Sequence, residues 1–347
     1  MSFTRFLGQD IVTQTQKVVT STWDNNTNAL TAAETSSLQA VFTSPTSSGA
    51  HFLDIHFDTT TSSVQYSIAY GHKAGSGSLD FTNAVGSKGR SPSRNIYSQY
   101  RQLVFGTETS NFNFTDFTPE DIYVININRS RYKHNLKPGS LNLVLISGSG
   151  GDGVTGAEIK LTDDSITSTG SAVITNAGRQ FNIVSGSSGV RLDNANHSTT
   201  VQTTDSGSFG FFYPDSGFIV LNPAAIDHYI LGTVPGISAN TADNNHVKLL
   251  DAIKGGESFI VDSEEKISST FYFARARNFE FNYSTNPSFT DNGGNVLINS
   301  MIDNPTSYIT TVGLYNDAGD LLAVAKLSQP ITKDFTKEAL IRVKLDY

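Results

Sequence analysis

The strongest constraint on this chain is a two-residue rhythm. Leu53, Ile55 and Phe57 alternate with Asp54, His56 and Asp58, and Ile341, Val343, Leu345 and Tyr347 alternate with Arg342, Lys344 and Asp346. Side chains two apart share one face of a strand, whereas a helix would scatter them around its axis. Such segments can fold only as strands with one apolar and one polar face. The β-branched run 11–23 and the segments 64–70, 122–128, 141–147, 271–283, 308–315 and 321–327 also read as strands. Shorter strands are expected near 159–161, 172–175, 181–184, 218–221 and 259–261, and Asn316–Asp320 reads as a tight hairpin loop.

Two segments break the rhythm. Ser91-Pro92 places proline at a first helical position, Ile96, Tyr97, Tyr100, Leu103 and Val104 recur at helical spacing, and Gly106 stops the run. A second short helix is expected over 242–254, with Val247, Leu250 and Ile253 on one side and Gly255-Gly256 at its end. The expected fold class is therefore mainly β, with two β-rich, sandwich- or barrel-like parts and a few short helices. No internal repeat is present. The expected organisation is an N-terminal β-rich domain over 1–245, with a small helix and long loops, and a C-terminal β domain over 246–347.

Composition narrows the function. Charged residues are 16% of the 347, yet 22 Phe and 13 Tyr supply too much aromatic surface for a disordered chain. With no cysteine, disulfides, thiolate metal sites and cysteine nucleophiles are excluded. A net charge of −8 is the wrong sign for a nucleic-acid binder. No apolar stretch reaches the roughly 18 residues of a membrane helix. The first ten residues lack a basic segment followed by an apolar run, so no secretion signal is expected.

The motifs that could carry chemistry fail on context. Gly148-Ser149-Gly150-Gly151-Asp152-Gly153 has a dinucleotide-loop spacing, but residues 154–161 read as a turn and a strand, with no helix N-terminus to hold a pyrophosphate. Asp54, His56 and Asp58 could ligate a metal from one strand face, although a solvated face is the simpler reading. Asp163-Asp164 and Asp291-Asn292-Gly293-Gly294 lack the ligand order of a calcium loop and read as turns. Gly186-Ser187-Ser188-Gly189 has the wrong spacing for a nucleophile elbow. No catalytic, cofactor-binding or metal-binding residue is expected, and no enzyme.

Two segments suggest docking instead. Strands 122–128 and 141–147 flank a basic stretch with Arg129, Arg131, Lys133 and Lys137, which reads as a hairpin with a long exposed tip, charged either for solubility or for docking on an acidic neighbour. In 271–283, alternation places Arg275 and Arg277 on the face of Phe271, Phe273, Phe279 and Phe281. Unpaired arginines on a buried face are costly, so either a bulge shifts the register or they pair with acids across an interface.

Several segments resemble virion structural proteins of large contractile-tailed bacteriophages, cyanophage-like ones included. They are Ser67–Gly77, Ser91–Tyr100, Ile122–Asn126 with Arg129 and Arg131, Lys137-Pro138-Gly139, Tyr213–Gly217 with Leu221-Asn222-Pro223, Thr311–Asp317 and Leu321–Leu327. The resemblance implies a virion protein of the baseplate, tail or neck, assembled in the host cytoplasm without cofactors. Its partners would be other virion structural proteins, with copies of itself in three- or six-fold rings around the tail axis, and neither nucleic acid nor membrane. A host-glycan receptor-binding protein or tailspike, and a capsid decoration protein, are the alternatives.

Overall fold

The computed structural model describes residues 4–24, 29–31, 34, 39–42, 52–56, 63–77, 91–114, 118–146, 158–166, 172–191, 209–230, 245–256, 258–284 and 286–347. The architecture is mainly β, and the chain divides into two compact units: Val18–Glu265, and Met1–Lys17 together with Lys266–Tyr347. The observed division differs from the 245/246 boundary expected from the sequence. It falls inside the strand Ser263–Ala276 and returns residues 1–17 to the C-terminal part. Alternation has the same period on both sides of such a point, so hydrophobic patterning cannot reveal it.

The larger unit is built on one antiparallel sheet. In spatial order its strands are Ala29–Thr31, Ser258–Ile260, Asn142–Ile146, Glu158–Asp163, Gly178–Ser187, Gly210–Tyr213, Phe218–Leu221, Asp121–Ile127, Val64–His72, Phe52–His56 and Gln39–Phe42. The central strands are apolar on both faces, and alternation divides them between two cores. Tyr123, Ile125 and Ile127 join Tyr66, Ile68, Phe212, Ile219 and Leu221 on one face, while Ile122 and Val124 join Phe211, Tyr213, Phe218 and Val220 on the other. The first face collects residues from Leu30 through Leu143 to Leu53, so the sheet curls around that core. Helices Pro223–Ile230 and Asn245–Gly255 add Ala225, Ile226, Leu249 and Ile253 to it.

The second core lies under the helix Pro92–Phe105, which buries Tyr97 and Val104 against Phe112 and Phe114. Gly106 closes this helix in the left-handed region (φ 68°), its N–H donating to the Gln102 carbonyl at 2.9 Å. Leu103, placed on the apolar stripe by its spacing, instead faces outward. The helix Pro223–Ile230 has no counterpart in the sequence reading. At eight residues it is too short to show a helical period.

The smaller unit is a thin two-layer arrangement. One layer orders Ile11–Thr20, Ser263–Ala276 and Ala339–Asp346, and the other is the hairpin Ser307–Tyr315/Leu321–Lys333. Tyr272 and Ala274 pack with Ile341, Val343 and Leu345 from the first layer, against Leu314, Val312, Ala325 and Ile331 from the hairpin. Alternation places Ile341, Val343 and Leu345 on this inner face as expected, while Tyr347, expected beside them, is exposed. The strand expected over 271–283 starts earlier, at Ser263, and ends at Ala276, where turns take over.

Candidate docking surfaces

The basic stretch is not a hairpin tip. The flanking strands Asp121–Ile127 and Asn142–Ile146 belong to the same sheet but have four other strands between them. They are joined by a 3₁₀ turn, Arg129–Arg131, whose Ser130 amide donates to Asn128 Oδ1 at 3.0 Å, and then by the two-residue strand Asn135–Leu136 paired with Ser263 and Glu264. Long-range pairing overrides the local hairpin signal here.

Its cations are mostly committed within the chain. Arg129 donates to the Tyr132 carbonyl at 2.6 Å and stacks over the Tyr132 ring. Arg131 forms an ion pair with Asp24, which also accepts from Gln65 Nε2 at 2.7 Å. Lys137 meets Asp262 at 3.3 Å. Lys133 alone of the four is exposed with no side-chain partner among the described residues. A charge already neutralised at close range has little left for a neighbour, so this stretch is a weaker docking element than its sequence suggests.

The residues that hold it carry no distinguishing mark in the sequence. Asp163 is fully buried at a strand end and accepts the Gly139 amide at 2.8 Å, the Leu141 amide at 3.3 Å and the Ser165 hydroxyl. Burial pushes its carboxyl above the ordinary range, and these donors pull it partly back. Asp164 accepts from the Asn182 amide and side chain. A pair of aspartates after an alternating segment gives no signal that separates such a buried anchor from a solvated turn. By contrast, Asp291 does cap a turn, taking the Gly293 and Asn295 amides at 2.9 and 2.8 Å.

Asp54 and His56 do not form the solvated face expected of them. His56 is buried, and Asp54, half-buried, accepts from Ser67 Oγ at 2.6 Å. Asp58 and the glycine-rich segment 148–153 lie outside the described residues. Among the described residues, no group of three or more His, Asp and Glu side chains is placed to hold a metal ion, and no helix is long and apolar enough to cross a membrane. A shallow hollow of about 250 Å3 lies between residues 20–24 and 130–133 and is lined mainly by polar groups.

The second candidate segment fares differently. Pairing of Ser263–Ala276 with the C-terminal strand is unbroken from Ser269↔Asp346 to Ala276↔Ala339, so no bulge shifts the register. Arg275 does share a face with Phe271 and Phe273, but that face is not the buried one. Tyr272, Ala274 and Ala276 point inward instead. The outward face continues across the pairing as Leu340, Arg342 and Lys344, with the Arg342 guanidinium over the Phe271 ring. Lys344 is paired with Asp346 at 3.0 Å. Arg275 and Arg277 are exposed and have no ion pair among the described residues.

Beyond Ala276 the chain turns and displays aromatic rings. Phe279 is 64%, Phe281 39% and Tyr283 57% exposed. This turn is held from below by Lys333, which is fully buried. Its ammonium donates to the Asn278 carbonyl at 3.0 Å, Asn282 Oδ1 at 2.5 Å and the Asp334 carbonyl at 3.0 Å. Phe281 sits at φ 57°, a conformation costly for a bulky residue, and its carbonyl accepts from the Ser307 hydroxyl. Lysine at the end of a strand reads in sequence as a solvated residue, so this clamp carries no signal there.

The turn is part of a wider pattern. Of the 24 large apolar side chains exposed among the described residues, 17 belong to the smaller unit. They include Tyr308, Leu321, Leu322 and Val324 on the hairpin and Ile11 and Val12 on the edge strand. Comparisons with protein-family models, with curated proteins and with solved structures return no match for the chain.

Proposed function

We propose that this chain is a structural component of a tailed-phage virion, in the baseplate or tail region, acting through multi-copy protein–protein contacts and not through catalysis. The observation that carries the reading is the exposed apolar surface concentrated on the smaller unit. A concentration of exposed large apolar side chains on one unit favours a role in protein–protein contact. The ten-residue edge strand Ile11–Thr20, exposed along most of its length, adds a row of backbone groups of the kind another chain can extend. The sequence resemblance to contractile-tail virion proteins is what points to a phage tail as the assembly.

The test is the protein's place in purified particles. Mass spectrometry of intact virions should detect the chain in multiple copies, and a cryo-EM map should place it around the tail axis. Its absence from particles, or turnover of a substrate by the purified monomer, overturns the reading. A position at a distal fibre tip with glycan binding would favour the receptor-binding alternative.

A further inference from the structure

We propose that the turn Arg277–Tyr283, with Arg275 beside it, is the anchor by which one copy of this chain docks on the acidic 18–265 unit of a second copy. The inference deepens the structural role proposed above by naming the surface and the partner, and it rests on that reading.

Three observations point to it. The first is geometry: Phe279, Phe281 and Tyr283 are displayed on a turn whose base is fixed by the buried Lys333 ammonium and by the Ser307 hydroxyl. A rigid aromatic turn loses little conformational freedom on binding, and aromatic and arginine side chains are the usual centres of interface energy. The strained φ at Phe281 shows that the surrounding contacts over-determine this shape, which is how backbone strain persists at binding elements.

The second observation is free charge. Arg275 and Arg277 flank the aromatic group, exposed and without an ion pair among the described residues, whereas Arg131 and Lys137 are already neutralised. The third is where the opposite charge lies. Residues 1–17 and 266–347 hold 10 Lys and Arg against 9 Asp and Glu, and residues 18–265 hold 14 against 23. The net −8 of the chain thus resides wholly in the larger unit. Its exposed carboxylates include Glu108, Glu120 and Asp251, none of them ion-paired among the described residues. Arg275 and Arg277 outnumber Glu280, whose Oε2 accepts the Arg277 amide at 2.9 Å, so the aromatic turn with its neighbour carries a net positive charge complementary to the acidic body of the next copy. Such a head-to-tail contact uses different surfaces on each partner and closes into rings or extends into stacks. A nucleic acid or an anionic membrane would also attract the turn, but would be repelled by the remaining bulk of the chain.

Sedimentation velocity of the full chain over a concentration series tests this. Wild type should self-associate, less so as salt rises and screens the arginines. The R275E/R277E and F279S/Y283S variants should each associate roughly tenfold more weakly or worse, with unchanged circular dichroism and melting temperature, because all four side chains are exposed. R275E/R277E retains its acidic acceptor surface, so added to wild type it should cap growing assemblies and shorten them. Association that is indifferent to both variants overturns the proposal, as does a turn that binds a DNA duplex or phosphatidylserine vesicles in preference to a second copy. A chain that stays monomeric in solution but is present in purified particles overturns this proposal alone. A chain absent from particles overturns the functional reading beneath it.

Discussion

The two units of this chain are both β, yet they solve the problem of burial in opposite ways. In residues 18–265 the central strands are covered on both faces, and Tyr66, Tyr123, Phe212 and Phe259 are removed from water altogether. In the smaller unit the core is a single thin layer centred on Leu314, Ile341 and Val343, none of them fully buried, while Phe279, Tyr283, Tyr308 and Leu322 face outward. The larger unit has what it needs to stand alone. The smaller leaves exposed many of the large apolar side chains that the larger unit buries.

The contrast can be broken most directly in the cores. Phe212→Ala removes a fully buried ring from the core of the large sheet and should cost about 3–5 kcal/mol, whereas Leu314→Ala should cost about 2 kcal/mol. Urea unfolding of each variant measures both values, and equal losses would mean that the smaller unit is better packed than its exposure indicates. Lys333→Met comes next. It strips the ammonium from the Asn278 and Asp334 carbonyls and from Asn282 Oδ1, at a cost of about 1–3 kcal/mol. Hydrogen exchange should quicken across 277–283 and leave the strands of the larger unit unaffected. Arg131→Ala removes a partly exposed ion pair to Asp24 and should cost about 1 kcal/mol or less, read as a small shift in the same urea midpoint.

Acid should sharpen the comparison by the smallest margin, because the carboxylates of the two units shift in opposite directions. Burial raises Asp121, which accepts from the Tyr70 hydroxyl, and Asp163. A raised carboxyl binds its proton more readily folded than unfolded. Its contribution is greatest below the unfolded value and is lost as pH rises through the folded one. Asp291, Asp334 and Asp346 are lowered, chiefly by hydrogen bonds from Asn295, Thr336 and Ser269, so their contribution holds above the unfolded value and is lost as pH falls. Acidification toward the usual carboxylate range should therefore loosen the smaller unit first. Hydrogen exchange at stepped pH checks this, and faster loosening of the larger unit would contradict it.

Much of this is legible in the residues. The alternation of Ile341, Val343 and Leu345 fixes the inner face of the last strand, and proline at 92 with glycine at 106 marks both ends of a helix. Such signals are local, and the structure obeys them. The features that escape are set by partners distant in sequence. The stretch 129–137 looks like a hairpin tip because nothing nearby shows that Ser263 and Glu264 pair with its end, or that Asp24 and Asp262 take its cations. Alternation puts Arg275 on its correct face, but Phe271 and Phe273 suggest that this face is the interior when Tyr272 and Ala274 form it. Aromatic residues identify a strand without saying which side meets water.

The division inside Ser263–Ala276 has a consequence for timing. The smaller unit needs Ile11–Thr20 from one end of the described chain and Ala339–Asp346 from the other, and closing so long an intervening stretch delays its formation. During synthesis the large sheet can collapse on itself while the early strand still waits for its neighbours. The unit with most of the exposed apolar side chains thus comes into being last, after the large sheet has buried its own.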